Sequence, residues 1–373
     1  MNSRERIKRI FNFQIPDRVG IFDAPWPETV ARWRMEGLPA DVHVNEYFKY
    51  DVDECLLLDT SLGLPAKIIE KNEEFMIYAD ANGVTNKVMR GKTGAPLVLD
   101  YLVKNRADWD NYKKLLRPDI EEKARIIRWG SYEAVDEHNV VSRPMPWKDT
   151  LAGYARAREK NKFMFFLAAG PLENTTHMMA AQDVYLKMLE EPDLISDMFS
   201  TITDLIIESH RRLARAGILV DGFHFSDDIA YKNGMLFSPG VYRELLLPCH
   251  KKLCKYFKSQ GLPVMYHTDG KLDEVLPLAL DAGITAIQPI EARAGNDVRK
   301  LKELYGRRLV FVGNIDVQKL SGSHEEIEGE IKGKVLIAKQ NGGYIYHSDH
   351  SVPPSVSFEN YKFAMELLRQ YGG

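Results

Sequence analysis

Cysteine is nearly absent from this chain: three thiols, Cys55, Cys249 and Cys254, in 373 residues. So odd and sparse a set builds no disulfide framework, and none of the three sits in a C-x-x-C pair. An excess of one charge is also missing. The 50 lysines and arginines face 53 aspartates and glutamates, a net charge of −3, and no basic block or arginine stripe marks a nucleic-acid surface. No apolar run approaches the ~20 residues that cross a bilayer. The opening MNSRERIKRIFNFQIPDR has no apolar core of a secretory signal. Repeats and low-complexity tracts are lacking too. These absences exclude a secreted disulfide scaffold, a nucleic-acid binder and a membrane-spanning protein, and the expected location is a reducing cytoplasm. What is there is 45% hydrophobic residues, enough for a sizeable core.

The apolar residues recur as short runs rich in β-branched and aromatic side chains, each followed by a helical stretch. Eight such runs read as strands: Arg18–Phe22, Glu54–Asp59, Phe163–Ala168, Leu219–Phe225, Pro263–His267, Thr285–Pro289, Leu309–Gly313 and Gly343–His347. They are almost continuously apolar, the pattern of parallel strands covered on both faces. Helices are expected over Ala180–Glu190, Leu194–Ala216, Pro239–Ser259, Leu272–Ala282, Asp297–Tyr305, Glu325–Gln340 and Glu359–Tyr371. Eight alternations predict one domain over residues 1–373, a (β/α)8 TIM barrel, with a doubly wound open sheet as the alternative. Two insertions would roof its mouth. Residues 67–90 read as a β-hairpin turning at Asn82–Gly83, and residues 105–160 as mostly helical.

A barrel enzyme carries its site at the C-terminal ends of its strands. There the chain places Asp23 and Trp26, then Asp59, then Glu173, Asn174 and His177. Asp221, His224, Asp227 and Asp228 come with the fourth run, and His267 and Asp269 follow the fifth. Gln288 and Glu291 follow the sixth, Asn314 and Asp316 the seventh, and His347, Asp349 and His350 the eighth. Four of these loops supply histidine, although the chain has only 10. His267, Glu291 and His350 are two imidazoles and a carboxylate, a set that binds zinc with a position left for substrate. Asp269 is either a fourth ligand or the partner that orients an imidazole. The alternative is that these histidines only form hydrogen bonds at the rim. In DGFHFSDD, paired carboxylates suit acid–base work or cap a turn. Asp59, Asn174 and Asp221 are candidate substrate contacts, and Trp26 and Tyr266 candidate walls of an aromatic pocket or ordinary packing residues.

Four stretches together carry a family resemblance: SRERIKRIFNFQIPDRVGIF, DGFHFSDDIAYKNGMLFSPGVYRELLLPCHKKL, GLPVMYHTDGKLDEVLPLALDAGITAIQPIE and RLVFVGNID. In this order they resemble the uroporphyrinogen decarboxylase superfamily, which implies a single (β/α)8 barrel. The N-terminal Arg-Gln-Ala-Gly-Arg segment of true decarboxylases is missing; the matching region reads VGIFDAPWPETVARWRM. The resemblance therefore leans to the cobalamin-dependent methyltransferases and O-demethylases of that superfamily, which hold zinc through His-x-Cys, a glutamate and a late cysteine. His267 matches the histidine and Glu291 the glutamate. Asp269 stands for the first cysteine and His350 for the second.

Exchanging two thiolates for oxygen and nitrogen donors makes a harder, more Lewis-acidic zinc, suited to an ether oxygen. The implied function is transfer of a methyl group from a small methoxylated, aromatic donor to a corrinoid (cobalamin) carried by a partner protein. His224, Asp227 and His347 are the candidates for protonating the leaving oxygen or positioning the substrate. This chain has no Asp-x-His-x-x-Gly cobalt-ligating signature, so the corrinoid belongs to the partner. The alternatives are a decarboxylase or lyase on a small acid, using Arg143, Lys232 or Arg293, and a non-enzymatic tetrapyrrole or corrinoid binder. The oligomeric state is open, with a homodimer kept in view.

Overall fold

The computed structural model describes residues 1–90, 96–118, 125–127, 132–136, 139–142 and 146–373. Eight parallel strands form its centre: β1 Gly20–Ile21, β2 Val52–Leu58, β3 Phe163–Ala169, β4 Gly222–Ser226, β5 Val264–His267, β6 Ala286–Gln288, β7 Val310–Val312 and β8 Tyr344–Tyr346. Their order around the sheet is β1-β8-β7-β6-β5-β4-β3-β2. The remaining seam between β1 and β2 is bridged where Asp51 N–H donates to Ile21 O at 2.7 Å and the Asp51 carboxylate accepts from Ile21 N–H at 2.9 Å. The chain is thus the expected barrel.

Alternation along each strand sorts the side chains into two cores. Phe22, Val52, Phe163, Phe165, Leu167, Met265, Ala286, Val310, Val312 and Ile345 point inward and fill the barrel. Their neighbours Phe166, Phe223, Phe225, Tyr266, Ile287, Phe311 and Tyr346 point outward into the helix layer. Helix α1, Ser3–Phe11, plugs the bottom: Ile7, Ile10 and Phe11 join the inner core while its polar face carries the charges. Arg6 of α1 pairs with buried Asp51 at 2.7 Å.

The helices run close to their expected bounds. Leu194–Ala216 is observed as Pro192–Arg215, and Asp297 caps Val298–Tyr305 by accepting from Arg299 N–H at 3.0 Å. The stretch expected as one helix over Pro239–Ser259 widens into a π turn at Tyr242–Leu246. Pro248, which has no N–H to give the Glu244 carbonyl, stands just beyond it and accounts for the wider turn.

Both insertions contain more strand than expected. The hairpin does turn at Asn82–Gly83, with Gly83 at φ 71°, but it is the centre of a four-stranded antiparallel sheet, Lys67–Lys71, Phe75–Ala79, Thr85–Met89 and Leu97–Asp100. The segment 105–160 has helices only at its ends, Arg106–Tyr112 and Trp147–Glu159. Between them lie Ile126–Ile127, antiparallel to β2, and a paired Tyr132–Asp136 and Asn139–Ser142. The Ile, Tyr and Val residues of these strands are of the types that favour β structure. Among the described residues no helix is long and apolar enough to cross a membrane.

The mouth is held to the barrel by tight backbone approaches. Gly313, after β7, has φ +125°, and a Cβ there would stand 1.7 Å from Pro289 O. The strain cannot be relieved by moving a side chain. Gly313→Ala is therefore expected to cost at least ~2 kcal/mol, read as a lowered urea midpoint; an unchanged midpoint contradicts the placement.

Candidate metal centre and active site

The strand register that fills the barrel also builds the site. Ser226, His267 and Gln288 are neighbours across β4, β5 and β6, and all three point inward at the C-terminal end. They line a cavity of about 570 Å³ together with Leu167, Asp59, Glu173, His224, His347 and His350. No lysine or arginine lines it among the described residues.

At one corner of the mouth, donor atoms of Asp228, His267 and Asp269 all lie within 4.8 Å of one another. His267 Nε2 is 3.8 Å from Asp228 Oδ1 and 3.9 Å from Asp269 Oδ1. Asp269 reaches the other way as well, with Oδ2 4.0 Å from His350 Nδ1, and His350 Nε2 is 3.6 Å from Glu291 Oε1. Of the four residues expected as ligands, His267 and Asp269 belong to the tight group, whose third member is Asp228, while Glu291 and His350 face each other beside it and are not part of it. His350 turns a different ring nitrogen to each of its carboxylates, so the tight group is the one completed by Asp228. In the sequence that residue reads as half of an acid–base carboxylate pair or as part of a turn cluster, and nothing in the spacing marks it as a ligand.

The group fits a divalent cation. Asp269 Oδ1 is a buried atom with no hydrogen-bond partner, although it faces His267. Burial, together with the nearby charges of Asp228 and Glu291, raises the Asp269 pKa against the pull of the two imidazoles. A cation would give that oxygen its partner and offset the crowding. The donors are oxygen and nitrogen. Cys249 and Cys254 are buried in the helix Leu247–Ser259, where burial pushes the Cys254 thiol up to about 12.

The loops bearing these groups are laced together. Asn296 donates to Gly270 O and Glu291 O, both at 2.8 Å. Asn314 donates to Ile290 O at 2.9 Å and Asn296 O at 3.0 Å. Asp349 accepts from Ala292 N–H at 3.1 Å and Val317 N–H at 3.0 Å. Glu291 itself accepts from Gly270 N–H at 3.0 Å. Behind His267, Gln288 Oε1 is 2.6 Å from its Nδ1, and Gln288 Nε2 is 3.2 Å from His347 Nε2.

Several expected site residues have other work. Asp221 precedes β4 instead of following it. It lies at the bottom of the barrel, bound by Arg4 and Arg158 at 2.7 Å each, and is not a substrate contact. Tyr266 points outward and donates to Asp227 O at 2.6 Å. The Asp227 carboxylate is fully buried outside the cavity. It accepts from Glu173 N–H at 2.7 Å and faces His250 Nε2 at 2.8 Å. Asn174 lines the cavity, but its amide is spent on Thr60, Ala169 and Gly170. Trp26 is half-exposed beside Val352. Asp59, His224 and His347 do line the cavity. Arg143 lies outside the described residues.

Glu173, a rim carboxylate to which the sequence assigns no specific role, lies on the helix Pro171–Met178 after β3. Burial and the neighbouring Asp227 and Asp228 charges raise its pKa to about 7, against a Ser226 hydrogen bond and His267. Its only sequence signal was a carboxylate two residues after a Gly-Pro turn.

The uroporphyrinogen decarboxylase (URO-D) family model matches residues 111–371, more than half of the chain. The chain belongs to that family. Among its relatives, the uroporphyrinogen decarboxylase of Pelodictyon phaeoclathratiforme is 22% identical over 315 residues, 83% of this chain and 80% of the relative. That of Chlorobium phaeovibrioides is 25% identical over 317 residues, with the same coverage. A solved methyltransferase from Methanosarcina mazei superposes with a TM-score of 0.65 at 16% identity, covering 100% of this chain and 99% of that one. At that identity the likeness concerns the fold alone.

The raised Glu173 pKa has a signed consequence. A carboxyl that ionises at 4.5 when unfolded and about 7 when folded binds more protons in the folded state between those values. Stability is full below about 4.5 and falls as pH rises toward about 7. In metal-free protein, Glu173→Gln is expected to gain Tm over the natural protein increasingly from pH 5 to pH 8. A pH-independent difference contradicts the assignment.

Proposed function

We propose that this URO-D family member is a zinc-dependent methyltransferase of the O-demethylating kind. It would pass a methyl group from a small, uncharged methoxylated aromatic to a corrinoid carried by a partner protein. The observation that carries the reading is the His267–Asp228–Asp269 group, with its unpartnered Asp269 oxygen, set at the edge of a cavity without lysine or arginine among the described residues. His267, Asp228 and Asp269 would hold the ion, with His350 and Glu291 adjoining it. When bound, zinc supplies Lewis acidity toward an ether oxygen and so makes that oxygen a better leaving group.

The chain's own groups do the rest. The inner walls, Leu167 and Phe22, give an aromatic ring an apolar seat. His224 packs edge-on to Phe165 and Phe22 in the same space. The methyl–oxygen bond breaks with its electron pair staying on oxygen, the methyl goes to the corrinoid, and the oxygen needs a proton. Glu173 is the group to supply it, since it lines the cavity and its burial favours the protonated form. Such a transfer is worth about a hundredfold in rate. Asp227 and His347 do not compete for that part, because their polar atoms are engaged elsewhere.

The names of the sequence relatives favour a second reading, decarboxylation of a carboxylate substrate. That chemistry calls for cations at the substrate's acid groups. Lys232 and Arg293 are not among the cavity residues, and the cavity already holds Asp59, Glu173, Asp228 and Asp269. A non-enzymatic tetrapyrrole binder would have no use for the ligand group.

The test is methyl transfer to a reduced corrinoid protein, followed by the methyl-cobalt absorption. A neutral methoxyphenol is expected to be used with a kcat/KM at least about tenfold above its methoxybenzoate counterpart, and chelation of the metal is expected to abolish transfer. Release of carbon dioxide from a carboxylated substrate, with no methyl transfer from any ether, would replace this reading with the decarboxylase one.

A further inference from the structure

His267 has two ring nitrogens, and only the one facing the carboxylates, Nε2, can serve the metal reading. That requires the ring proton to sit on Nδ1. We propose that Gln288 and His347 form an orienting relay that holds His267 in its Nδ1–H form, with the Nε2 lone pair turned to Asp228 and Asp269. The inference rests on the metal reading for its purpose, though not for its geometry.

The direction of the relay follows from its fixed end. His347 Nδ1 lies against the backbone carbonyl of Ser348, which can only accept, so the neutral His347 ring carries its proton on Nδ1 and a lone pair on Nε2. That lone pair, 3.2 Å from the Gln288 side-chain nitrogen, accepts from the amide N–H. The amide oxygen is thereby committed to the other side, 2.6 Å from His267 Nδ1, where it accepts the ring N–H.

Turning the amide over breaks the His347 link and is incompatible with an Nδ1–H His267. Its NH2 would oppose His267 Nδ1–H, its oxygen would face the His347 lone pair, and a tautomer change at His347 would set two acceptors together at Ser348. Ser348 is itself pinned. Its Oγ donates to Asp23 Oδ2 at 2.8 Å and its N–H to Asp23 Oδ1 at 3.3 Å, and Tyr361 donates to the same carboxylate at 2.8 Å. The Asp23 carboxylate lies 3.9 Å from His347 Nδ1. Asp23, Gln288, His347 and Ser348 are all buried, which limits competition from water at the inner links of the relay. A metal-binding histidine is commonly oriented through its other nitrogen in this way. Here the orienting group is a neutral amide whose direction is inherited from a backbone carbonyl two side chains away. Gln288 and His347 are positioning residues.

The test uses Gln288→Met, which removes both links, and Gln288→Glu, which keeps an acceptor for His267. Ring-nitrogen NMR of metal-free protein, with the His267 signal assigned from a His267→Gln variant, reads the tautomer. Zinc titration reads the consequence. His267 is expected as Nδ1–H in the natural protein and in Gln288→Glu, and as a mixture in Gln288→Met. Zinc affinity is expected to fall about 10- to 100-fold in Gln288→Met and to stay within about threefold in Gln288→Glu. A proton on His267 Nε2 in the natural protein, or equal losses in the two variants, overturns the relay. If the natural protein shows the Nδ1–H signature and binds no zinc, the metal reading fails and the tautomer assignment stands.

Discussion

Three carboxylates, Asp228, Asp269 and Glu291, are gathered at one corner of the barrel mouth with two imidazoles and no lysine or arginine among the described cavity residues. Like charges in a half-buried place repel, and burial raises the cost of each. The raised Asp269 pKa and its unpartnered oxygen are the visible signs of that cost. A divalent cation is the economical way to offset it. The proposed chemistry, the choice of an uncharged substrate and the orientation of His267 all follow from this one electrostatic demand.

Meeting it takes a rigid scaffold. The barrel strands set which residues face the cavity, and the register across β4, β5 and β6 puts Ser226, His267 and Gln288 side by side. Beyond the strand ends the loops would be free to separate. Asn296, Asn314 and Asp349 prevent this by satisfying buried backbone groups of neighbouring loops. Each is a short polar side chain whose hydrogen bonds go to main chain, which is how a polar rim becomes a fixed frame.

Much of this was legible in the residues. Apolar runs mark strands because burial on both faces leaves no room for polar alternation, and the strand ends then locate the mouth. His267, Glu291, His350 and Asp269 are read that way; His267 and Asp269 share the tight group with Asp228, and Glu291 and His350 stand beside it. Asp221 was misplaced because a residue beside a strand reads alike at either end until the direction of burial is known; the α1 plug with Arg4 settles it. Tyr266 and His267 are adjacent yet face opposite layers, a distinction that hangs on register. Asp228 and Glu173 are legible as rim carboxylates but not in these roles, which arise from what folds against them, a neighbouring loop in one case and burial in the other. The strands in segment 105–160 were hidden by the helices at both its ends.

X-ray absorption at the zinc edge of the purified, zinc-loaded protein tests the central claim most directly. The account predicts a first shell of nitrogen and oxygen alone, near ~2.0–2.1 Å, with imidazole scattering that weakens in His267→Gln. A sulfur shell near ~2.3 Å, or a spectrum unchanged by that substitution, would contradict it.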